Sequence, residues 1–469
     1  MRKRLPLLFM MALTLLSASE SFPDSVVKLE VTAAQPNYAR PWESRNVVKY
    51  GGSGVLIEGN RILTAAHVVS NARFIELQKE NDPRRYAATV RFISHQADLA
   101  LLQVRDEAFF KGMQALPITE QVALRDPVTV LGYPLGGRHL SITTGVLSRI
   151  GYGPYTHSYE YLPRMQVDAA VNAGNSGGPA LDSRNRIVGI VMASLRNSSN
   201  ISYLVPGLVI RQFLDDIRDG RVDGLHHDDV ALQIIDNDSL RDYYGLKGRT
   251  GVLIQRVGLD ETLLKPEDIL LEIDGFPVAD DGSIAGPYGR IDLNFAFHRH
   301  QIGETVPLRI LRQGRERQLD YPIHRIRPPI YREFEKPPRY YIYGGLVFTP
   351  LTLNAAAAAG EKCNLDRLVR RQRRRIPGYT EAVMILRNGF PTRANHGYTP
   401  YLLILDTVNG VPIRSFAHFV TTLEKARGRY VRFRFLDDYR IVLDREEVRK
   451  SEETLKRLYR VDRLKELGE

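Results

Sequence analysis

From Val26 to about Leu214 the chain is a succession of short runs in which apolar and polar residues alternate, each closed by a turn signal. The run "GSGVLIEGNRILTAAHVV" is the clearest: two alternating stretches flank Gly59–Asn60, a pair suited to a two-residue hairpin because both residues tolerate a positive φ. "ADLALLQV", "DPVTVLGYPLGG", "LSITTGVLSRI" and "RIVGIVMASL" continue the pattern. "GLVIRQFLDDIRDG" then changes to helical spacing, with Gly220 as its stop. Many short strands closed by one helix imply a β-barrel or sandwich.

Two further units follow. The first, from about Asp223 to Ile326, contains "GVLIQRV", "PEDILLEIDGFPV" and "VPLRILRQGRERQLDYPI", with Asp274–Gly275 as a hairpin signal. "IRPPIYREFEKPPRYY" is Pro-rich and charged and reads as a linker. Beyond it, "LLILDTVNGVPI" parallels "ILLEIDGFPV", and "YVRFRFLDDYRIVLD" parallels "VPLRILRQGRERQLDYPI". An internal duplication of a small β module accounts for both matches. The closing "SEETLKRLYRVDRLKELGE" is charged and helical in spacing, and reads as a solvated tail.

A chain of 469 residues is long enough for about three domains, and 43% hydrophobic content supplies several cores. Arg2, Lys3 and Arg4 precede the apolar "LPLLFMMALTLL" and the small residues Ser17, Ala18 and Ser19, the pattern of a secretory signal cleaved near residue 20. No later stretch is long and apolar enough for a membrane span, so an exported protein, periplasmic or secreted, is expected. Cys363 is the single cysteine, which excludes an intrachain disulfide and a cysteine-based zinc site. The net charge of +11 favours acidic surfaces as non-specific partners and leaves the fold open.

"VNAGNSGGPALD" poses the functional question. Glycine, asparagine and proline crowd Ser176, as they do in many turns. A serine nucleophile also needs a base and a group to orient that base. His67 ends the strand-like run "LTAAHVV", and Asp98 opens "ADLALLQV". The order His, Asp, Ser is that of chymotrypsin-type barrels. In such a triad the imidazole takes the serine proton during attack, and the carboxylate holds the imidazole in the right tautomer.

"TAAHV", "ADLALL" and "GNSGGP" are similar to the three active-site motifs of the Deg/HtrA family of ATP-independent serine endoproteases, and "ISYLVPGLVIRQFLDDI" resembles the strand and helix that close that family's protease domain. The resemblance implies a mainly-β chain: a trypsin-like double β-barrel over 25–220, then two PDZ-like α+β domains at 223–326 and 340–448. A signal at 1–20, a linker at 327–339 and a charged helical tail at 449–469 complete this division. "DGSIAGPYGRI" and "YYIYGGLVFTPL" look like the subgroup best known from plant Deg proteases, with a long divergent second PDZ. Carried over by position, His67 is the general base, Asp98 its orienter and Ser176 the nucleophile, with the N–H groups of Gly174 and Ser176 as the oxyanion hole. Ala173 stands where the family often has proline. Ala170, Met192 and Ala193 are expected at the S1 pocket, which would then favour aliphatic side chains. Thr250, Gly251 and Val252 are the nearest match in the first PDZ to a carboxylate-binding loop, with Thr250 where an apolar residue is usual. The third unit has no clear counterpart and reads as a structural or assembly module.

The resemblance further implies unfolded or damaged proteins as substrates and assembly into trimers or multiples of trimers; the sequence shows no phosphate loop, haem motif or zinc pattern, so no cofactor is expected. The rivals are a protease-fold binding protein or chaperone whose triad is rarely assembled, and a scaffold built on the PDZ units. "VRRQRRRIPG" carries a cluster of arginines, but no aromatic residues or groove-reading motif accompany it, so a solvated surface rather than a specific nucleic-acid site is expected. His226 and His227 adjoin Asp228 and Asp229, yet no third ligand is evident and no metal is expected.

Overall fold

The computed structural model describes residues 22–43, 46–194, 201–258, 261–326, 330–359, 378–386 and 389–468. The leader, the arginine cluster at 370–375, Leu195 and linker residues 327–329 lie outside these.

The first alternating runs close into two barrels. Strands β1 (Val26–Gln35), β2 (Asn46–Ile57), β3 (Arg61–Thr64), β4 (Ala72–Lys79), β5 (Tyr86–Ser94) and β6 (Leu99–Val104) pair in the order β1-β2-β3-β6-β5-β4. Strands β7 (Pro127–Gly132), β8 (Ser141–Pro154), β9 (Tyr161–Val167), β10 (Pro179–Leu181), β11 (Ile187–Ser194) and β12 (Ser202–Pro206) form the second, in the order β10-β11-β12-β9-β8-β7. The alternation is visible in β1, where Val27, Leu29, Val31 and Ala33 are buried while Lys28, Glu30 and Thr32 are less so. Closure leaves no unpaired sheet edge, and each barrel interior is filled by the inward half of every strand. Gly59 and Asn60 turn the chain with φ of 80° and 53°, but Ile57 pairs with Arg61, so the loop joining β2 to β3 spans residues 58–60, one residue longer than the two-residue turn expected. Helix Gly207–Asp216 follows β12, and a left-handed Gly220 ends its short 3-10 extension.

The duplication read from the sequence appears in the strand pairing. Strand Ile269–Ile273 pairs with Phe276–Pro277 across Asp274–Gly275 and with Thr305–Arg312, which pairs with Arg315–Pro322. Strand Leu405–Val408 pairs with Val411–Pro412 across Asn409–Gly410 and with Tyr430–Phe435, which pairs with Arg440–Asp444. Each copy carries a register shift at the equivalent step, Leu270/Glu272 and Leu405/Thr407. The third unit adds a second sheet of four strands, Val383–Ile385, Leu346–Pro350, Tyr340–Tyr343 and Lys465–Glu466.

That last strand corrects the reading of a solvated tail. Helix Arg445–Tyr459 is charged outside, but Val448 and Leu455 are buried, Val461 after them is buried too, and Lys465–Glu466 closes the sheet against Tyr340–Tyr341. Leu455 and Val461 enter one core of the third unit and Val448 the adjoining one, and these buried side chains hold the segment despite its many charges. The linker is also more than a spacer: Ile330 and Tyr331 are buried. The first PDZ-like unit is tied to the barrels at Gln96, whose amide accepts from Leu225 N at 2.8 Å and donates to Leu225 O at 3.2 Å. The Tyr152 hydroxyl and His298 Nδ1, 2.9 Å apart, form a second tie. Among the described residues no helix is long and apolar enough to cross a membrane.

Candidate active site

The three residues singled out around Ser176 come from different connections: His67 from α1 (Ala66–Val69) after β3, Asp98 from the turn between β5 and β6, and Ser176 from the turn between β9 and β10. Asp98 has φ +54°, a left-handed conformation that Asp tolerates better than most side chains. Its carboxylate is fully buried. Oδ1 accepts the His67 main-chain N–H at 2.9 Å and lies 3.1 Å from Nδ1, while Oδ2 lies 2.8 Å from Nδ1. The acid thus holds both the backbone and the ring of His67. With its proton on Nδ1, the ring keeps the Nε2 lone pair free to accept another. Burial pulls the His67 pKa down, but the charge and hydrogen bond of Asp98 outweigh it and leave the imidazole above its usual value. For Asp98, burial pushes up and His67 pulls down, and the net is a carboxyl below its usual range.

The Ser176 turn is built to one backbone shape. Asn175 N–H donates to Asn172 O at 3.0 Å, and Gly174, third of these four residues, has φ +103°, the signature of a type II turn. A Cβ at Gly174 would lie 2.4 Å from Tyr133 O and 2.5 Å from Leu135 N. Ala173 C=O accepts from Leu135 N–H at 2.7 Å. In a planar trans peptide the C=O and N–H point opposite ways, so the Gly174 N–H faces away from Leu135. Neither it nor the Ser176 N–H has an acceptor among the described residues. Ser53 of β2 locks the turn: its Oγ donates to Gly174 O and accepts from Tyr133 N, both at 2.8 Å, and its N–H donates to Ser176 O at 2.9 Å. The sequence reading missed Ser53; the small-residue run Gly51–Gly54 was the available signal.

Gly52 is where the two halves of the site meet. A Cβ there would lie 2.4 Å from Val68 Cγ1, next to His67, and 3.3 Å from Ser176 O. The Ser176 hydroxyl makes no hydrogen bond to His67 or to any other group among the described residues. His157, from the β8–β9 connection, was also missed. Its ring lies 6.2 Å from that of His67, and its Nε2 is 2.9 Å from His95 Nδ1. Burial, and then the nearby histidines, hold the His157 pKa down at about 3 against the pull of Asp98.

The other expected positions fare differently. Ala170 is exposed, with its carbonyl held by Thr143 Oγ1 at 2.9 Å. Met192 does not line an open pocket: the β11–β12 register shifts between Val191 and Ala193, and Met192 turns into the main core at 2% exposure. The Ala193 side chain lies outside the described set. Thr250–Val252 cannot receive a peptide carboxylate as expected. Gly251 N–H already donates to the Asp280 carboxylate at 3.1 Å, which would repel a second anion. Strand Val252–Arg256 is paired on both sides, by Ala231–Gln233 and Ile269–Ile273. His226 turns to Asp228 at 3.5 Å and His227 to Glu160 at 3.3 Å, and no group of three or more metal-ligating side chains occurs among the described residues.

Comparison with known proteins agrees with this architecture. Residues 52–190 match the family described as trypsin-like peptidase domain, and residues 329–465 match the PDZ domain family. The chain is 33% identical over 443 residues to putative protease Do-like 3, mitochondrial, of Arabidopsis thaliana, covering 92% of this chain and 78% of that protein. It is 32% identical to protease Do-like 4, mitochondrial, of the same plant, covering 93% and 84%. Among solved structures, an HtrA-type protease AlgW with tripeptide has a TM-score of 0.52 at 22% identity, covering 66% of this chain and 95% of that one, a likeness of fold.

Proposed function

Because the chain belongs to the Deg/HtrA family of serine endoproteases, also named Do-like proteases, we propose that it cuts unfolded or damaged polypeptides through an acyl-enzyme on Ser176. The observation that carries this reading is the two-point hold of Asp98 on His67, backbone N–H and ring Nδ1 on one buried carboxylate. Ser176 Oγ attacks the peptide carbonyl as its proton passes to His67 Nε2. The resulting oxyanion takes the N–H groups of Gly174 and Ser176. His67 then gives the proton to the leaving amine, and water repeats the cycle on the ester. No ATP enters these steps. The unbonded Ser176 hydroxyl is the one observation favouring a binding protein with an idle triad, but such bonds commonly tighten only when substrate arrives. The two readings part on a simple assay: the purified chain, without ATP, degrades a heat-denatured protein and spares its native form. Binding without cleavage would establish the rival.

The turn geometry gives a second expectation. Gly174→Ala adds a Cβ at φ +103° against Tyr133 O and should cost about 1–3 kcal/mol of local strain. The turn relieves this by rotating the peptide, and loss of one oxyanion donor lowers kcat about a hundredfold or more. Steady-state kinetics beside a thermal melt will check this; unchanged kcat in a folded variant would remove Gly174 from the site.

Ala170 supports an aliphatic preference at P1. It is small and uncharged. A Lys or Arg side chain buried there would lose hydration, and Ala170 itself offers no charge to offset the loss. A buried Val, Ala, Ile or Leu gains roughly 1.5–3 kcal/mol from burial alone. Mass-spectrometric mapping of cut sites should find most cuts after such residues, and a majority after Lys or Arg refutes the preference. Assembly into trimers or their multiples, testable by light scattering, and export through the leader, testable by N-terminal sequencing of the mature chain, complete the reading.

A further inference from the structure

Residues 331–334, "YREF", run between the barrels and the third unit with side chains alternating between the two, and Glu335, with φ +63°, ends the alternation. Tyr331 and Glu333 face the third unit. Tyr331 Oη donates to Glu381 Oε1 at 2.6 Å, and Arg339 Nη2 bonds both Glu333 and Glu381 at 2.7 Å. Arg332 and Phe334 face the barrels. Arg332 Nη1 donates to His157 O at 2.8 Å, and the Phe334 ring stacks on His95 at 4.0 Å and 3° and tilts against His157 at 4.6 Å. Glu335 then accepts from Asn71 N at 2.8 Å and Ser70 Oγ at 3.1 Å, at the end of the helix that carries His67.

Phe334 therefore sits on the flank of the catalytic histidine. A cavity of about 480 Å³ opens beside it, between His67, His157, the Pro36–Ala39 loop and the strap. A substrate laid across His67 must send a side chain along this flank. The surface offered there is aromatic, and the His157 part of it is uncharged near neutral pH, because burial keeps that imidazole deprotonated. Flat, uncharged rings complement such a face. Phe334 is only half-buried and arrives on a segment anchored by polar contacts, so it can be displaced without opening a core.

Resting on the protease reading above, we propose that His95 and His157 form a binding niche for an aromatic substrate side chain beside His67, and that Phe334 is its resident internal competitor. The class of ligand is a polypeptide with Phe, Tyr or Trp close to the cleaved bond. The third unit, by holding Tyr331 and Glu333, then sets how firmly the niche is occupied.

The test uses the full chain with Ser176→Ala, so that binding is read without turnover. Fluorescent peptides carry an aliphatic P1 residue and a Phe scanned through the flanking positions, with Ala at the same positions as control. Phe334→Ala is expected to tighten the best Phe peptide about tenfold and its Ala control less than twofold, the size of effect that one new pairing of aromatic rings produces. Equal shifts for both peptides, or none, overturn the niche. A thermal melt checks folding. Should Phe334→Ala unfold, Arg332→Ala loosens the same strap and must shift the pair in the same direction, or the niche is rejected. A second arm repeats the peptides with Ser176 intact. The Phe-over-Ala binding gain with no cleavage by any variant sinks the protease reading and leaves the niche; normal cleavage with no such gain does the reverse.

Discussion

Replacing Ser176 by alanine is expected to lower kcat on a denatured protein by about a millionfold, to the level that binding and the oxyanion donors alone sustain. The same loss is expected from His67→Ala, and the double variant should be little worse than either, because nucleophile and base act as one unit. The structure makes this a clean experiment. Ser176 is held through its backbone, by Ser53 N–H on its carbonyl, and its hydroxyl supports nothing else among the described residues. Removing the hydroxyl should leave the melting temperature unmoved. A fluorophosphonate reagent should label the native chain at Ser176 and leave Ser176→Ala unlabelled. Retention of full activity in that variant would dismiss the assignment.

Asp98→Asn is expected to cost about ten-thousandfold in kcat. Asparagine tolerates the left-handed φ at this position, so the turn survives the change. What is lost is the carboxylate that fixes the proton on His67 Nδ1. The pH profile should move as well. His67 works as a base only when neutral, so kcat/KM falls as pH drops through its pKa. In the native chain burial lowers that pKa but Asp98 more than restores it, placing the acid limb above the usual imidazole value. With Asp98→Asn only burial remains, and the limb should shift to lower pH. A limb that stays in place would mean that Asp98 does not control the imidazole.

How far the chain could be read before its fold was known depended on the range of the forces involved. Turns were legible because a type I′ two-residue hairpin needs positive φ at both positions, which Asp274–Gly275 and Asn409–Gly410 supply; Gly59–Asn60 marked a turn correctly but not its length, which is three residues. The duplicated module was legible for the same reason. His67 and Asp98 could be paired because the chemistry of an activated serine restricts its partners to few residue types. Met192 was misplaced because a one-residue shift in β11 sends a side chain to the opposite face, and no composition signal marks it. Thr250–Val252 had the right kind of residues, but pairing on both sides and the Asp280 contact are tertiary facts. The closing segment was recognisable as helical in spacing but was read as solvated, because nothing local named the core that receives Leu455. Phe334 on His95 joins positions far apart in the chain, and only folding puts them together.

The alternation of the strap gives the connection between the barrels and the third unit a parity. Tyr331 and Glu333 belong to one neighbour, Arg332 and Phe334 to the other. One residue inserted between Ile330 and Tyr331 would change nothing in the register of these four, whereas one inserted between Arg332 and Glu333 would exchange the owners of Glu333 and Phe334. Two residues inserted at that second point would restore the ownership and only lengthen the span. Length along this stretch is thus counted modulo two, and any graft of the third unit onto another barrel pair has to preserve the phase before it preserves the residues.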